Sequence, residues 1–230
     1  MIRLQKYIAN AGVCSRRKAE RHIQNGEVKV NGQIVTQLGM KIDPDADRVE
    51  VAGRLLEPHQ PMIYIMLNKP KGFITSCRHG SRKIVMDLID IPQRVYPVGR
   101  LDKDSTGLLL LTNDGDLHLR LSHPSFDHEK EYEVETAQPI TDEALGMMRN
   151  GVMIDGVKTR KASIKCLSDR RFRIVLKEGK KRQIRRMVEA VGNRVVALHR
   201  LRMSSLNLGN LVQGQWRHLT KEEMKLLMDS

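Results

Sequence analysis

The chain has 230 residues, with 40 Lys plus Arg against 27 Asp plus Glu and a formal net charge of +13. Its 40% hydrophobic and 29% charged residues are those of a folded globular protein and exclude a disordered or fibrous chain. The longest apolar runs, Met62 to Leu67 and Leu108 to Leu111, fall far short of the roughly 18 residues that span a bilayer, so no membrane role is expected.

The N-terminal residues break every apolar pair with a charge or an amide, which leaves no signal-peptide core, and the expected location is the cytoplasm. Cys14, Cys77 and Cys166 are odd in number and share no CxxC spacing, so they read as structural thiols rather than a disulfide framework or a zinc site. The positive balance favours a phosphate backbone as partner, while 3% aromatic residues argue against a broad stacking platform for single strands.

In chain order, Leu4, Tyr7, Ile8 and Ala11 share one face of a helix over 3–11 that stops at Gly12. Ser15 is placed to N-cap a second helix, Arg16 to Asn25, stopped by Gly26. Val28 to Val35 alternates around Asn31-Gly32, a strong hairpin signal, and Asp47 to Leu56 offers a second strand pair about Ala52-Gly53. Residues 1–56 thus form one small unit, 57–61 with two prolines read as a linker, and 62–230 form a larger domain.

That domain opens with a strand from Met62 to Leu67 and a turn over Asn68-Lys69-Pro70-Lys71-Gly72. Further strands are expected at Gly107 to Thr112, Lys130 to Thr136, Val152 to Ile154, Ala162 to Leu167, Arg171 to Leu176 and Val195 to Met203. Helices are expected at Ile84 to Ile89, Asp116 to Ser122, Thr141 to Arg149 and Gln183 to Val191, with a capping box at Thr220-Lys221-Glu222-Glu223 before a final helix. Strands outnumber helices and often follow one another directly, which predicts an α+β fold with a mixed, mostly antiparallel sheet flanked by helices.

Two basic clusters break a local rule in the same direction. Arg16-Arg17-Lys18 occupies the first turn of a helix, where cations oppose the macrodipole at about 0.3–1 kcal/mol each, and Arg3, Lys6, Arg21 and Lys29 lie nearby in sequence. Lys180-Lys181-Arg182-Gln183-Ile184-Arg185-Arg186 repeats the anomaly at another helix start. Phosphates would favour both clusters, drawn by the cations and by the free N–H groups of the helix ends, including that of the Ser15 cap. The apolar stripe Ile184, Met187, Val188 and Val191 leaves Lys180, Lys181 and Arg182 facing a ligand or solvent, and sets Arg185 at its edge, where it can reach a buried partner. A third feature is Asp102, on a polar turn between the strand-like Tyr96-Pro97-Val98 and the buried run from Gly107. Such a loop is a rigid mount for a catalytic carboxylate, although an Asp making a local turn is the commoner case.

Gly99-Arg100-Leu101-Asp102 with Ser105-Thr106-Gly107-Leu108 resembles the signature of the RsuA-type ribosomal RNA pseudouridine synthases. Leu67-Asn68-Lys69-Pro70-Lys71-Gly72 resembles that family's first motif, and Glu178-Gly179-Lys180-Lys181-Arg182-Gln183-Ile184-Arg185-Arg186-Met187 its basic C-terminal motif. Residues 1–56, with Ser15-Arg16-Arg17-Lys18-Ala19-Glu20 and Val28-Lys29-Val30-Asn31-Gly32, resemble the alpha-L RNA-binding domain. Asp127-His128-Glu129-Lys130-Glu131-Tyr132 and Gly214-Gln215-Trp216-Arg217-His218-Leu219-Thr220 look most like the RluF-type branch, which acts on large-subunit rRNA.

The resemblance implies a catalytic Asp102, a stacking Tyr132 in the Lys130-Glu131-Tyr132 setting, and a partner cation at Arg185. An Asp102–Arg185 ion pair would hold the carboxylate in the anionic form that attack or proton abstraction requires. Lys69, Arg100, Lys180 and Arg182, with Arg3, Lys6, Ser15, Arg16, Arg17, Lys18 and Lys29, are the expected RNA contacts, offsetting the few kcal/mol needed to flip a uridine. Isomerisation needs no redox cofactor, metal or nucleotide, and His118, His123, His128 and His199 are too scattered to suggest ligands. The implied protein is a monomer acting on ribosomal RNA, large-subunit rRNA above all, free or within pre-ribosomal particles. Small-subunit rRNA, tRNA, or a non-catalytic assembly factor using the same surfaces are the alternatives.

Overall fold

The computed structural model describes residues 1–57, 60–78, 80–122 and 127–229. Part of the expected linker, Pro58 and His59, and His123 among the scattered histidines lie outside them. The chain divides into two compact units, one of Met1–Ile63 with Ile91–Val95 and Asn113–Gly115, the other of Tyr64–Asp90, Tyr96–Thr112 and Asp116–Ser230.

In the first unit, β1 (Ile2–Arg3) leads into α1 (Leu4–Asn10), and α2 (Arg16–Gln24) follows. Ser15 caps α2 as its spacing predicts, Oγ accepting from Lys18 N at 3.3 Å. The hairpin β2 (Val28–Val30) and β3 (Gln33–Ile34) turns through Asn31 and Gly32 at φ +52° and +81°, the left-handed pair that a two-residue turn needs. Then come β4 (Lys41–Ile42), paired with β1, and β5 (Val49–Val51) with β6 (Arg54–Leu55), the sheet order being β3-β2-β5-β6. Leu4, Ile8, Ala19, Ile23, Val28, Ile42 and Val49 form the core, with Tyr7 and Ala11, and the helical spacing of Leu4, Tyr7, Ile8 and Ala11 had placed those four on one face.

The second unit is built on one sheet. Its strands are β7 (Tyr64–Lys69), β8 (Tyr96–Val98), β9 (Thr106–Thr112), β10 (Lys130–Thr136), β11 (Met153–Ile154), β12 (Val157–Lys158), β13 (Ser163–Ser168), β14 (Arg171–Leu176), β15 (Val195–Met203), β16 (Leu206–Asn207) and β17 (Trp216–His218). The order is β13-β14-β10-β15-β9-β7-β17, with β8 on β9, β16 on β15, and β11 and β12 forming a separate hairpin. Only the β15–β9 pair is parallel among the described strands of this sheet, so the expected mixed, mostly antiparallel α+β arrangement is what forms. Helices α3 (Gly115–Ser122), α4 (Asp142–Asn150), α5 (Gln183–Ala190) and α6 (Lys221–Met228) accompany it. Val134, Leu145, Phe172, Ile174, Met187 and Val188 pack one core; Met66, Leu108, Leu110, Leu117 and Met203 pack the other.

Three expectations shift. The opening strand runs over Tyr64–Lys69, not Met62 to Leu67, because Asn68 and Lys69 pair with Leu108 and Gly107 instead of turning. The helix expected from Ile84 to Ile89 is a single 3-10 turn, Val85–Leu88, whose start is held by the Asp87 carboxylate accepting from Ile84 N at 2.8 Å. Of the three thiols, Cys14 is buried as a structural residue should be, whereas Cys77 and Cys166 are exposed.

Candidate active site

Between β8 and β9, the loop from Leu101 to Ser105 is tied down at every backbone carbonyl. Thr75 Oγ1 donates to Leu101 O at 2.8 Å and accepts from Leu101 N at 3.2 Å. Lys69 Nζ donates to Asp102 O at 3.1 Å and to Ser105 O at 2.8 Å. Gly72 N reaches Lys103 O at 2.8 Å, and Arg185 Nη2 reaches Asp104 O at 3.1 Å. A polar loop held at each carbonyl in this way is fixed in place, and its half-exposed carboxylate, Asp102, is aimed by the rest.

Lys69 therefore does a different job from the one its charge suggests. It was expected among the RNA contacts, yet it is fully buried and its third hydrogen bond goes to Pro70 O at 3.1 Å. Burial pushes its ammonium down to about 8, against the opposing pull of Asp102 and Asp104. Its place is under the loop, where it positions Asp102.

Beside this loop opens a cleft of about 640 Å³, lined by Arg100, Asp102, Lys130, Tyr132, Lys180, Lys181, Arg182 and Arg200 among others. Two other carboxylates line it, and both are committed. Asp127 is held by Arg160 through two hydrogen bonds of 2.5 and 2.9 Å. Glu178 accepts from Gln183 Nε2 at 2.5 Å and from Arg160 N at 3.0 Å. Among the described residues Asp102 makes only a long contact, Oδ2 to Arg182 Nη1 at 3.9 Å, so its oxygens stay available to a ligand.

The cation expected at Asp102 is thus Arg182, not Arg185. Arg182 sits at φ +54°, just before α5, a left-handed conformation that costs a non-glycine residue of order 1 kcal/mol or more and turns its side chain off the helix. Arg185 lies one turn further on and is buried; it donates to the carbonyls of Val195 and Asp104 at 3.3 and 3.1 Å. Burial and the charge of Arg182 lower its proton affinity, and Asp102 and Asp104 work against them. Arg185 clamps the loop from one side as Lys69 does from below.

Tyr132 lies on β10 opposite Arg200 of β15. Arg200 and Lys130 were not singled out as site residues, although an arginine at an inward position of Val195 to Met203 was a visible signal, since this residue type is seldom buried. Burial and the neighbouring Arg200 charge push Lys130 down in turn. In the first unit, Arg3, Lys6, Arg16 and the unanticipated Lys41 surround a separate hollow of about 410 Å³ with Gln5 and Glu20. Ser15, Arg17, Lys18 and Lys29 are exposed but do not line it.

A basic cleft with one uncommitted carboxylate on a clamped loop defines an enzyme that acts on a polyanion. Comparison with known proteins narrows the class. A family model described as RNA pseudouridylate synthase matches residues 63–190, and one for the S4 domain matches residues 2–47. The dual-specificity RNA pseudouridine synthase RluF of Escherichia coli strain K12 is 43% identical over 97% of this chain and 77% of its own length. The ribosomal large subunit pseudouridine synthase B of Bacillus subtilis strain 168 is 44% identical over 99% of this chain and 96% of its own. A crystal structure of a pseudouridylate synthase superposes with a TM-score of 0.73 at 33% identity, over 99% of this chain and 100% of that one. The chain belongs to the RNA pseudouridylate synthase family and carries an N-terminal S4 domain.

Proposed function

We propose that this chain converts one uridine of ribosomal RNA, in the large subunit, to pseudouridine, acting as a monomer in the cytoplasm. The observation that carries the reading is Asp102, the cleft carboxylate left without a close partner among the described residues while Asp127 and Glu178 are tied up. Two relatives support the substrate, one named a dual-specificity RNA pseudouridine synthase and the other a ribosomal large subunit pseudouridine synthase.

In this reading the target uridine leaves its stack and enters the cleft with its base against Tyr132, while Arg100, Lys180 and Arg182 meet the phosphates that flank it. Asp102, beside Arg182, adds to C6 of the ring, attacks C1′ or removes the 2′ proton. The N1–C1′ bond breaks, the base rotates and C5 joins C1′; Asp102 gives back the bond or proton it took, the C5 proton leaves and N1 takes up a proton, so atoms and charge balance without a cofactor. Lys69 and Arg185 hold the loop through these steps. The S4 domain anchors a neighbouring stem through Arg3, Lys6, Arg16 and Lys41.

Carbodiimide-labelled primer extension tests the reading on unmodified large- and small-subunit rRNA, tRNA and pre-ribosomal particles. One new stop in large-subunit rRNA is the expected result. A stop confined to small-subunit rRNA or tRNA would overturn the substrate, and no stop on any of the four would overturn the activity.

A further inference from the structure

We propose that Arg200 contacts the edge of the flipped uracil and stabilises the negative charge the ring carries while its bond to the ribose is exchanged. The inference rests on the uridine reading above and assigns a residue within the same cleft.

Arg200 is 2% exposed, yet it has no carboxylate within ion-pair distance among the described residues. Its Nε donates to Leu108 O at 2.6 Å, and its Nη2, also buried, has no acceptor among the described residues. The neighbouring cations make matters worse for it: the Arg200 charge lowers both Lys69 and Lys130. An uncompensated buried guanidinium costs several kcal/mol, and a site that keeps one beside a cleft is built to receive an acceptor there. The flanking inward residues of β15, Leu198 and Met203, are apolar, and the Leu108 carbonyl occupies only Nε of the guanidinium.

Depth decides which acceptor arrives. Arg100, Lys180 and Arg182 are exposed and line the rim, where the RNA backbone must stay because it continues on both sides of the flipped nucleotide. Only the base reaches the floor. Register then orients it: Arg200 is the cross-strand partner of Tyr132, with a pair of this kind about 5 Å apart at Cβ. A base lying on the Tyr132 ring turns its edge, with the carbonyl oxygens, toward the guanidinium.

Those oxygens are where charge collects. When the N1–C1′ bond breaks, its electron pair stays with the base, and the uracil anion spreads the charge over N1, O2 and O4. If Asp102 instead adds to C6 first, the charge moves to O4. Either way Nη2 donates a hydrogen bond to a carbonyl oxygen more strongly in the charged state than before it, which lowers the barrier. No proton is transferred by Arg200.

The test uses the full chain with Arg200→Gln and Arg200→Lys in single-turnover reactions on large-subunit rRNA transcripts containing uridine or 5-fluorouridine, scored as target nucleoside consumed. Fluorine stabilises the ring anion by itself and so reduces the need for the arginine. Arg200→Gln should slow uridine consumption about a hundredfold, with RNA affinity unchanged and a much smaller loss on 5-fluorouridine; Arg200→Lys, keeping the charge, should fall between. Should Arg200→Gln fail to fold, as judged by circular dichroism and melting, the Arg200→Lys comparison decides alone. Equal losses on the two substrates, or no loss, would overturn the assignment. Wild-type protein that consumes neither substrate would overturn the uridine reading itself, and the inference with it.

Discussion

Lys69 Nζ donates to the backbone carbonyl of Asp102 at 3.1 Å, from a position with no exposed surface. The carboxylate proposed to do the chemistry is thus held by a lysine that never meets the RNA. The contact is one of three that Lys69 makes, to Pro70, Asp102 and Ser105, and an ammonium has three N–H groups where a neutral amine has two.

Alkaline pH should therefore separate activity from stability. Lys69 loses its proton near pH 8 in the folded protein and near 10.5 when unfolded. Product formation should fall as pH rises through about 8, because one of the three carbonyls then loses its donor. Stability runs the other way. Between about 8 and 10.5 the unfolded chain binds the extra proton, so the unfolding free energy of wild type relative to Lys69→Met should rise with pH across that window. A pH-rate profile and denaturant titrations at matched pH measure both; activity flat to pH 10 would detach the loop from the Lys69 proton.

Gly107 is the contact on which the sheet closes. It sits at φ +105°, and a Cβ there would meet Arg200 O at 2.3 Å and Arg200 N at 2.5 Å. Both are backbone atoms of the adjacent parallel strand, so the clash has no side chain to push aside. Gly107→Ala should destabilise the second unit by more than about 3 kcal/mol and move Arg200 off the cleft floor. Thermal melting checks it, and a variant within about 1 kcal/mol of wild type would mean that β9 and β15 can part without cost.

The hollow of the first unit offers a cleaner electrostatic test. Neutralising Arg3, Lys6, Arg16 and Lys41 together should weaken RNA binding and reduce the slope of log affinity against log salt by about 0.7–0.9 for each lost phosphate contact. Folding should survive, since none of the four belongs to the core. Fluorescence anisotropy across a salt series reads the slope, and an unchanged slope would place the stem elsewhere.

Much of this was legible in the residues. Period and turn chemistry located most elements because Asn31-Gly32, the Ser15 cap and the Thr220 box are local devices, decided within a few residues. The polar turn carrying Asp102 between two core strands was legible for the same reason, whereas the catalytic role proposed for Asp102 came from the family resemblance. What escaped depends on partners far away in sequence. Lys69 reads as a surface cation until β9 covers it, and Arg182 displaces Arg185 at Asp102 only through a left-handed backbone that no periodicity reveals. The edge strand β17 was missed because Trp216–His218 has no alternation of its own and becomes a strand by pairing with β7. Arg200 stands in an inward register of Val195 to Met203, a signal that the strand's spacing carries but that only burial makes plain.

The most direct test of the account is tritium release from RNA labelled at C5 of uracil, which counts the proton lost when C5 joins the ribose, run with wild type and Asp102→Asn alongside RNA affinity and melting temperature. The account predicts stoichiometric release by wild type, none detectable by Asp102→Asn, and the same affinity and folding for both. Release by Asp102→Asn at the wild-type rate would contradict it and move the chemistry away from the clamped loop.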